Sequence, residues 1–284
     1  MKILVTGANG QLGSAIRKES ESFSNLQLFY TDVDEVDISS KESIQTALEK
    51  YKPNMVVNCA AYTAVDKAED EPEKAFLLNA HAPANVAELC KPRGIHLIHI
   101  STDYVFDGKG NTPYVETDKV NPLSVYGQSK LEGEMLSMTF ENTMVIRTSW
   151  LYSAYGNNFM RTIMRYAHER PELRVVFDQT GTPTLANDLA LAILRIAHSP
   201  EKYFVPKIFH FSNQGVCSWF DFAIEIVKLA GLNTKIVPVT TNEYPTKAIR
   251  PQYSVLNKQK ISNLLKIDIP HWRESLAKCL QYNI

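Results

Sequence analysis

The sequence predicts an α/β fold: a Rossmann-type doubly wound parallel sheet followed by a smaller C-terminal α/β substrate domain. Three observations carry this. An apolar stretch at residues 2–5 runs into glycines at positions 7, 10 and 13 and then into a helical segment. Strand-like and helix-like runs then alternate as far as about residue 151, the pattern of parallel strands joined by crossover helices. Residues 55–61 are almost continuously apolar, as a strand covered on both faces must be.

The first strand ends at Thr6, and a glycine-rich turn follows. Gly7 permits the tight bend, Gly10 lets the backbone approach a pyrophosphate, and Gly13 lets the next helix pack close to the sheet. Asn9, Gln11 and Leu12 complete this phosphate-facing loop. Residues 26–30 form the second strand. Asp32 at its end falls about twenty residues after the glycines, where a dinucleotide fold places its ribose-binding acid. Arg17 and Lys18 are nearby cations that would offset it toward a 2′-phosphate. Asp37 and Ser39 stand where they can cap the helix at 41–51. Ala60, Ala61 and Tyr62 lie at the C-terminal end of the 55–61 strand, where such sheets take ligands; the two alanines either admit a cofactor closely or simply pack. A helix over 73–90 carries Asn79. The 95–100 strand delivers Thr102 to the same sheet edge. Residues 108–121, polar and rich in turn formers, read as an active-site loop.

Pro122 is unsuited to a helix interior, and Ser124 caps a helix that begins beside it. Tyr126 and Lys130 stand at i and i+4 on that helix and share one face. A phenol with a pKa near 10 is a reluctant base at neutral pH, and an ammonium within about 4–6 Å favours the phenolate. A shift of roughly three units is about 4 kcal/mol, which one partly desolvated charge can supply. The expectation is that Lys130 lowers the pKa of Tyr126, which exchanges a proton with an alcohol or ketone oxygen. The Thr102 hydroxyl would donate to the same carbonyl.

Past residue 150 the alternation weakens. Strands are expected at 173–177, 208–212 and 235–238, helices at 157–168, 187–197 and 219–230, and an extended loop at 250–256. The expected division is a cofactor-binding Rossmann domain over 1–150, with elements near 173–210 returning to it, and a mainly substrate-binding domain over 151–284.

The 284 residues suffice for two units that share a core. A net charge of -1 gives no electrostatic case for nucleic acid or an anionic membrane surface. No apolar run is long enough to span a bilayer, and the first strand leaves no room for a signal peptide, so a cytoplasmic location is expected. Cys59, Cys90, Cys217 and Cys279 lack the paired spacing of zinc or redox sites, and no metal site is expected.

The G-x-x-G-x-x-G loop with Thr102, Tyr126 and Lys130 in this order resembles the extended short-chain dehydrogenase/reductases, and within them the dTDP-4-dehydrorhamnose reductase family. The likeness rests on Ala64-Val65-Asp66-Lys67-Ala68-Glu69, Leu77-Leu78-Asn79-Ala80, Ser101-Thr102-Asp103-Tyr104-Val105-Phe106-Asp107-Gly108, Tyr126-Gly127-Gln128-Ser129-Lys130-Leu131-Glu132-Gly133-Glu134 and Arg250-Pro251. It covers essentially the whole chain. The resemblance implies reduction of the 4-keto group of dTDP-4-dehydro-L-rhamnose by NADPH, with NADH possible, in the synthesis of polysaccharide precursors. It implies that Asp37 and Ile38 sit against the adenine, that Asn79 supports a proton relay to Lys130, and that Lys130 also holds the nicotinamide ribose. It brings Thr63, Tyr104, Trp150 and Arg250 to the sugar nucleotide. The implied partner is a dTDP-sugar, and the protein is a monomer or homodimer. Some relatives form magnesium-bridged dimers through an acid just after the glycine loop; Ser14-Ala15 stand there in this chain, so that bridge is not expected. The alternatives are a nucleotide-sugar epimerase that retains NAD and a non-catalytic regulatory subunit of the same fold. A dehydratase of the superfamily has a glutamate where Tyr104 follows Thr102-Asp103, and is disfavoured.

Overall fold

The computed structural model describes residues 1–281 and is built on one six-stranded parallel sheet. Its strands are β1 (Lys2–Thr6), β2 (Gln27–Thr31), β3 (Met55–Asn58), β4 (His96–Thr102), β5 (Thr143–Thr148) and β6 (Ile208–His210), in the order β6-β5-β4-β3-β1-β2. Chain order reverses between β1 and β3, and a doubly wound sheet opens a ligand crevice at the C-terminal ends of such a pair. Every residue of β3 and β5 is buried. Successive strand residues supply opposite faces. Ile3, Val5, Met55 and Val57 pack under α1 (Gln11–Glu19), while Leu4, Val56 and Leu97 pack under α2 (Lys41–Tyr51).

The apolar run at 73–90 is helical but not uniform. Pro72–Phe76 and Ala82–Cys90 are α-helical, and between them Leu77–His81 is one π turn. Such turns often mark functional sites because they re-aim a side chain, and this one carries Asn79. Beside it runs α3 (Val125–Ser137), which contains Tyr126 and Lys130. The approach is backbone to backbone. A Cβ on Gly133 would overlap the Asn79 carbonyl oxygen, and one on Gly127 would overlap that of Tyr104.

The stretch 173–210 divides. Residues 208–210 join the large sheet as β6, and α4 (Ala186–His198) packs its apolar face into the cluster of Ile3, Leu12 and Ile16. Glu172–Val176 instead pairs with Lys235–Val239 in a separate two-stranded sheet. Its inward residues Leu173 and Val175 join Tyr152, Met160, Phe222 and Trp272 in a second core. Among the described residues no helix is long and apolar enough to cross a membrane.

Because Gly133 lets α3 touch the π turn, Gly133→Ala should destabilise the fold by about 1–3 kcal/mol, the usual cost of overpacking. Urea unfolding checks this. An unchanged midpoint would mean that the two helices separate freely.

Candidate active site

The glycine loop is shaped for an anion. Gly7 has φ 64, and a Cβ there would lie 2.6 Å from the Ala60 nitrogen, so the loop rests directly on the backbone beyond β3. Gly10 opens α1 with no side-chain cap, which leaves the first-turn N–H groups available to a phosphate. Ala60 and Ala61 line the mouth of this cradle, both partly exposed. These features fit a dinucleotide pyrophosphate. Leu12 contributes only backbone here, since its side chain is core. Gln11 accepts a hydrogen bond from the Ser153 hydroxyl (3.3 Å), which ties the loop to the C-terminal part of the chain.

Asp32 fastens this loop. Its carboxylate accepts from the backbone nitrogens of Asn9 (2.9 Å) and Val33 (2.9 Å). Arg17 lies over the Tyr30 ring at 4.1 Å, and Lys18 pairs with Glu21 at 2.9 Å, so both cations already have local partners. Neither Asp37 nor Ser39 caps α2: Ser40 does, accepting from the Ser43 nitrogen, while Asp37 accepts from the Ser39 nitrogen and hydroxyl. The Ile38 side chain is buried with Ile44 and Leu48.

On the reacting side, the Ser124 hydroxyl accepts from the Gly127 nitrogen (3.2 Å), as its position before α3 requires. A second cap comes from Glu69, whose carboxylate accepts from the Val125 nitrogen (2.8 Å). The Tyr126 ring is met edge-on by Tyr104, with centroids 5.4 Å apart. Lys130 is 2% exposed, and its ammonium donates to the Ile100 carbonyl at 2.6 Å. Burial brings it down to about 8, against the opposing pull of Glu134. The expected lowering of Tyr126 does not occur in this structure. Enclosure in protein pushes the phenol well up, Asp103 and Tyr104 add to the rise, and only the Thr102 hydroxyl opposes it. The helical face is shared as expected, but the lysine charge is held by a strand carbonyl, and desolvation of the phenolate prevails.

Thr102 ends β4. Its hydroxyl donates to Asp103 (3.0 Å) and accepts from the Tyr104 nitrogen (3.3 Å). Asp103 escaped the reading of the sequence. It is 2% exposed, its Oδ2 has no partner, and burial pushes its carboxyl up to about 6. The available signal was an acid directly behind a buried strand, at the sheet edge where ligands bind. Asn79 spends its carboxamide on Tyr62, accepting from its nitrogen (2.8 Å) and donating to its oxygen (3.0 Å), and on Ser129 (3.1 Å). It therefore holds the segment after β3 against α3 rather than bonding Lys130. The Tyr62 hydroxyl donates to Glu71 (3.0 Å), and Thr63 is exposed. Trp150 has φ 48, a strained backbone for a bulky residue, and stacks on Trp219 at 3.6 Å over the bare face of Gly181. Arg250 donates to the Tyr104 hydroxyl (3.1 Å) and to Asp66 (2.6 Å).

A family model described as the RmlD substrate binding domain matches residues 1–283. The chain belongs to the RmlD family. It is 41% identical over 281 residues to the spore coat polysaccharide biosynthesis protein SpsK of Bacillus subtilis, covering 99% of this chain and 97% of that one. A crystal structure of a dTDP-4-dehydrorhamnose reductase from Clostridium acetobutylicum superposes with TM-score 0.93 at 42% identity, covering 99% of each chain. One from Bacillus anthracis, in complex with NADP, superposes with TM-score 0.94 at 36% identity, again over 99% of each.

Beneath the reacting groups, this RmlD-family chain buries an ion pair. Glu134 on α3 accepts from Arg147 of β5 through Nε (2.8 Å) and Nη2 (2.6 Å), and from the Ser101 hydroxyl (2.5 Å). Both side chains are at most 3% exposed. Removing one partner strands a buried charge, which typically costs about 3–5 kcal/mol, whereas replacing both by apolar residues is often near neutral. Glu134→Leu and Arg147→Met should each destabilise by about that amount, and the double variant by less than either. Chemical denaturation of all three checks this.

Proposed function

We propose that this chain reduces the 4-keto group of dTDP-4-dehydro-L-rhamnose to dTDP-L-rhamnose with NADPH, as a step toward a cell-surface polysaccharide. The observation that carries the proposal is the match of the chain to the RmlD family, and it is supported by an uncapped glycine loop, by Thr102 at the end of β4 and by Tyr126 and Lys130 on α3. NADPH, when bound, supplies the hydride. The loop Gly7, Asn9, Gly10, Gln11, Leu12, Gly13 holds the pyrophosphate through backbone N–H groups, with Asp32, Asp37 and Ile38 on the adenosine side and Ala60, Ala61 and Tyr62 on the nicotinamide side. Residues 1–150 with β6 and α4 form the cofactor domain, and the rest is mainly substrate-binding.

Tyr126 gives its proton to the carbonyl oxygen as negative charge develops there. Burial keeps the phenol protonated until that charge appears. Thr102 donates to the same oxygen, and Asp103 offers its free Oδ2 to a sugar hydroxyl. Lys130, anchored on the Ile100 carbonyl, holds the nicotinamide ribose. Tyr104 and Trp150 shape the sugar pocket. Thr63 and Arg250 lie at its rim, and Asn79 supports Lys130 indirectly through Tyr62 and Ser129. The protein acts in the cytoplasm as a monomer or homodimer, on a dTDP-sugar, with NADH accepted less well than NADPH.

The deciding assay follows loss of reduced nicotinamide absorbance with dTDP-4-dehydro-L-rhamnose; no loss with purified enzyme and NADPH would overturn the proposal. Tyr126→Phe should lower kcat by at least about a hundredfold and leave the NADPH Kd unchanged, since only the proton donor is lost.

The pH profile has a worked sign. Lys130 carries its charge below about 8 and loses it above. Asp103 is a carboxylate above about 6 and is neutral below. The kcat/KM for NADPH should therefore fall above about pH 8, and the kcat/KM for the dTDP-sugar should fall below about pH 6, an acid limb that Asp103→Asn should remove. A flat profile through both values in wild type would refute these roles.

A further inference from the structure

Four carboxylates follow one another closely after β3, and the structure gives each a task. Glu69 caps α3, Glu71 accepts from the Tyr62 hydroxyl, and Asp70 pairs with Lys247. Asp66 is doubly engaged: Oδ1 accepts from the Ala248 nitrogen (3.0 Å) and Oδ2 from the Arg250 Nη2 (2.6 Å). A segment distant in sequence, 247–250, is thereby fastened across the mouth of the site. The other amino group of Arg250, Nη1, donates to the Tyr104 hydroxyl (3.1 Å).

That last bond has a direction. Arginine carries donors only, so the Tyr104 oxygen must accept from it. Tyr104 cannot then point its own proton back at the guanidinium. Among the described residues no protein acceptor takes that proton. Tyr104 meets Tyr126 edge-on, so the free donor lies beside the reacting group. Sugar nucleotides present hydroxyl and phosphate oxygens, which are acceptors. As a stability device the Asp66–Arg250 pair has little to offer, because its side chains are 45% and 25% exposed and exposed pairs contribute little. As an orienting device it is well suited, because a planar fork fixed at one end by a carboxylate presents its other end at a set angle.

We propose that Asp66 is a positioning residue: it aims the Arg250 guanidinium so that the Tyr104 hydroxyl is held as a donor toward the sugar nucleotide. The idea rests on the proposed reductase function and adds two residues that act through a third. Asp66 and Arg250 do not touch the reacting atoms.

The test is a double-mutant cycle between Asp66→Asn and Tyr104→Phe, read in steady-state reduction of dTDP-4-dehydro-L-rhamnose and in calorimetric binding of dTDP-L-rhamnose. Asp66→Asn should raise the sugar-nucleotide KM at least about fivefold, with kcat within about twofold and the NADPH Kd and Tm unchanged. The double variant should be no worse than Tyr104→Phe alone, because the hydroxyl to be aimed is already gone. Asp66→Glu should recover part of the loss. Arg250→Lys, which can pair with Asp66 but cannot fork to both partners, should reproduce the KM rise even if Asp66→Asn proves unstable. Losses that multiply in the double variant would overturn the proposal, as would an Asp66→Asn or Arg250→Lys enzyme with normal KM. Wild-type enzyme that binds NADPH but neither binds nor reduces the dTDP-sugar would overturn the function itself, and this inference with it.

Discussion

Helix α3 must sit at one height over the sheet, and the buried Glu134–Arg147 pair ties it there. Tyr126 and Lys130 belong to α3, whereas Thr102 belongs to β4, so the three groups proposed to react come together only if helix and strand keep register. Glu134 lies one turn beyond Lys130, Ser101 directly precedes Thr102, and Arg147 is its lateral neighbour on β5. One carboxylate therefore binds the helix to both strands at the level of the site. Taking two ions out of water costs several kcal/mol each, so the pair is poor value as a source of stability. Its geometric use is clearer: a bidentate fork has one good fit, and a slip of the helix by a residue would leave two unpaired charges in the core. Arg147 also lies over the Phe106 ring (5.2 Å) and reaches His210 (3.4 Å), so β6 and the segment after Thr102 share the same anchor.

The second constraint is the acidic turn after β3. Its carboxylates leave in different directions, to the helix N-terminus, to the 247–250 segment and to Tyr62. Apolar packing within the clusters does not by itself specify how the segments around the site are placed. Directional charge-assisted bonds do. They lie near the surface, where salt screens them, so they are suited to setting geometry rather than to supplying stability.

Much of this was legible in the sequence, for local reasons. Strands β1 and β3 announce themselves because a doubly covered strand reads as a nearly continuous apolar run, here Ile3–Val5 and Met55–Val57. Ser124 declares its cap because the bond spans only three residues. What stayed hidden depends on partners far along the chain. Nothing near Lys130 says that its ammonium will meet the Ile100 carbonyl, so the sign of the Tyr126 shift has no local signal. Ser40, one residue past Ser39 and three past Asp37, is the α2 cap, and helix boundaries vary by a residue or two from sequence alone. The π turn at Leu77–His81 lies against Gly133, a long-range contact that only the packed structure reveals. The left-handed Trp150 has no local signal, since its conformation is held by Trp219 and Gly181.

The raised Tyr126 bears on timing rather than on direction. A phenol at its ordinary value is already protonated at neutral pH, and one set of groups serves a reversible step both ways, so the shift does not choose between reduction and oxidation. Surrounding protein disfavours the phenolate, the neighbouring Asp103 adds to that, and Lys130 is anchored on the strand below. In the proposed reduction, transfer becomes favourable only when an alkoxide forms beside Tyr126, because an alkoxide is a far stronger base than a phenolate. Tyr126 remains partly exposed to the cleft, so water can restore its proton between turnovers. The hydride donor that the glycine loop would hold, rather than the phenol, therefore fixes which way the site runs.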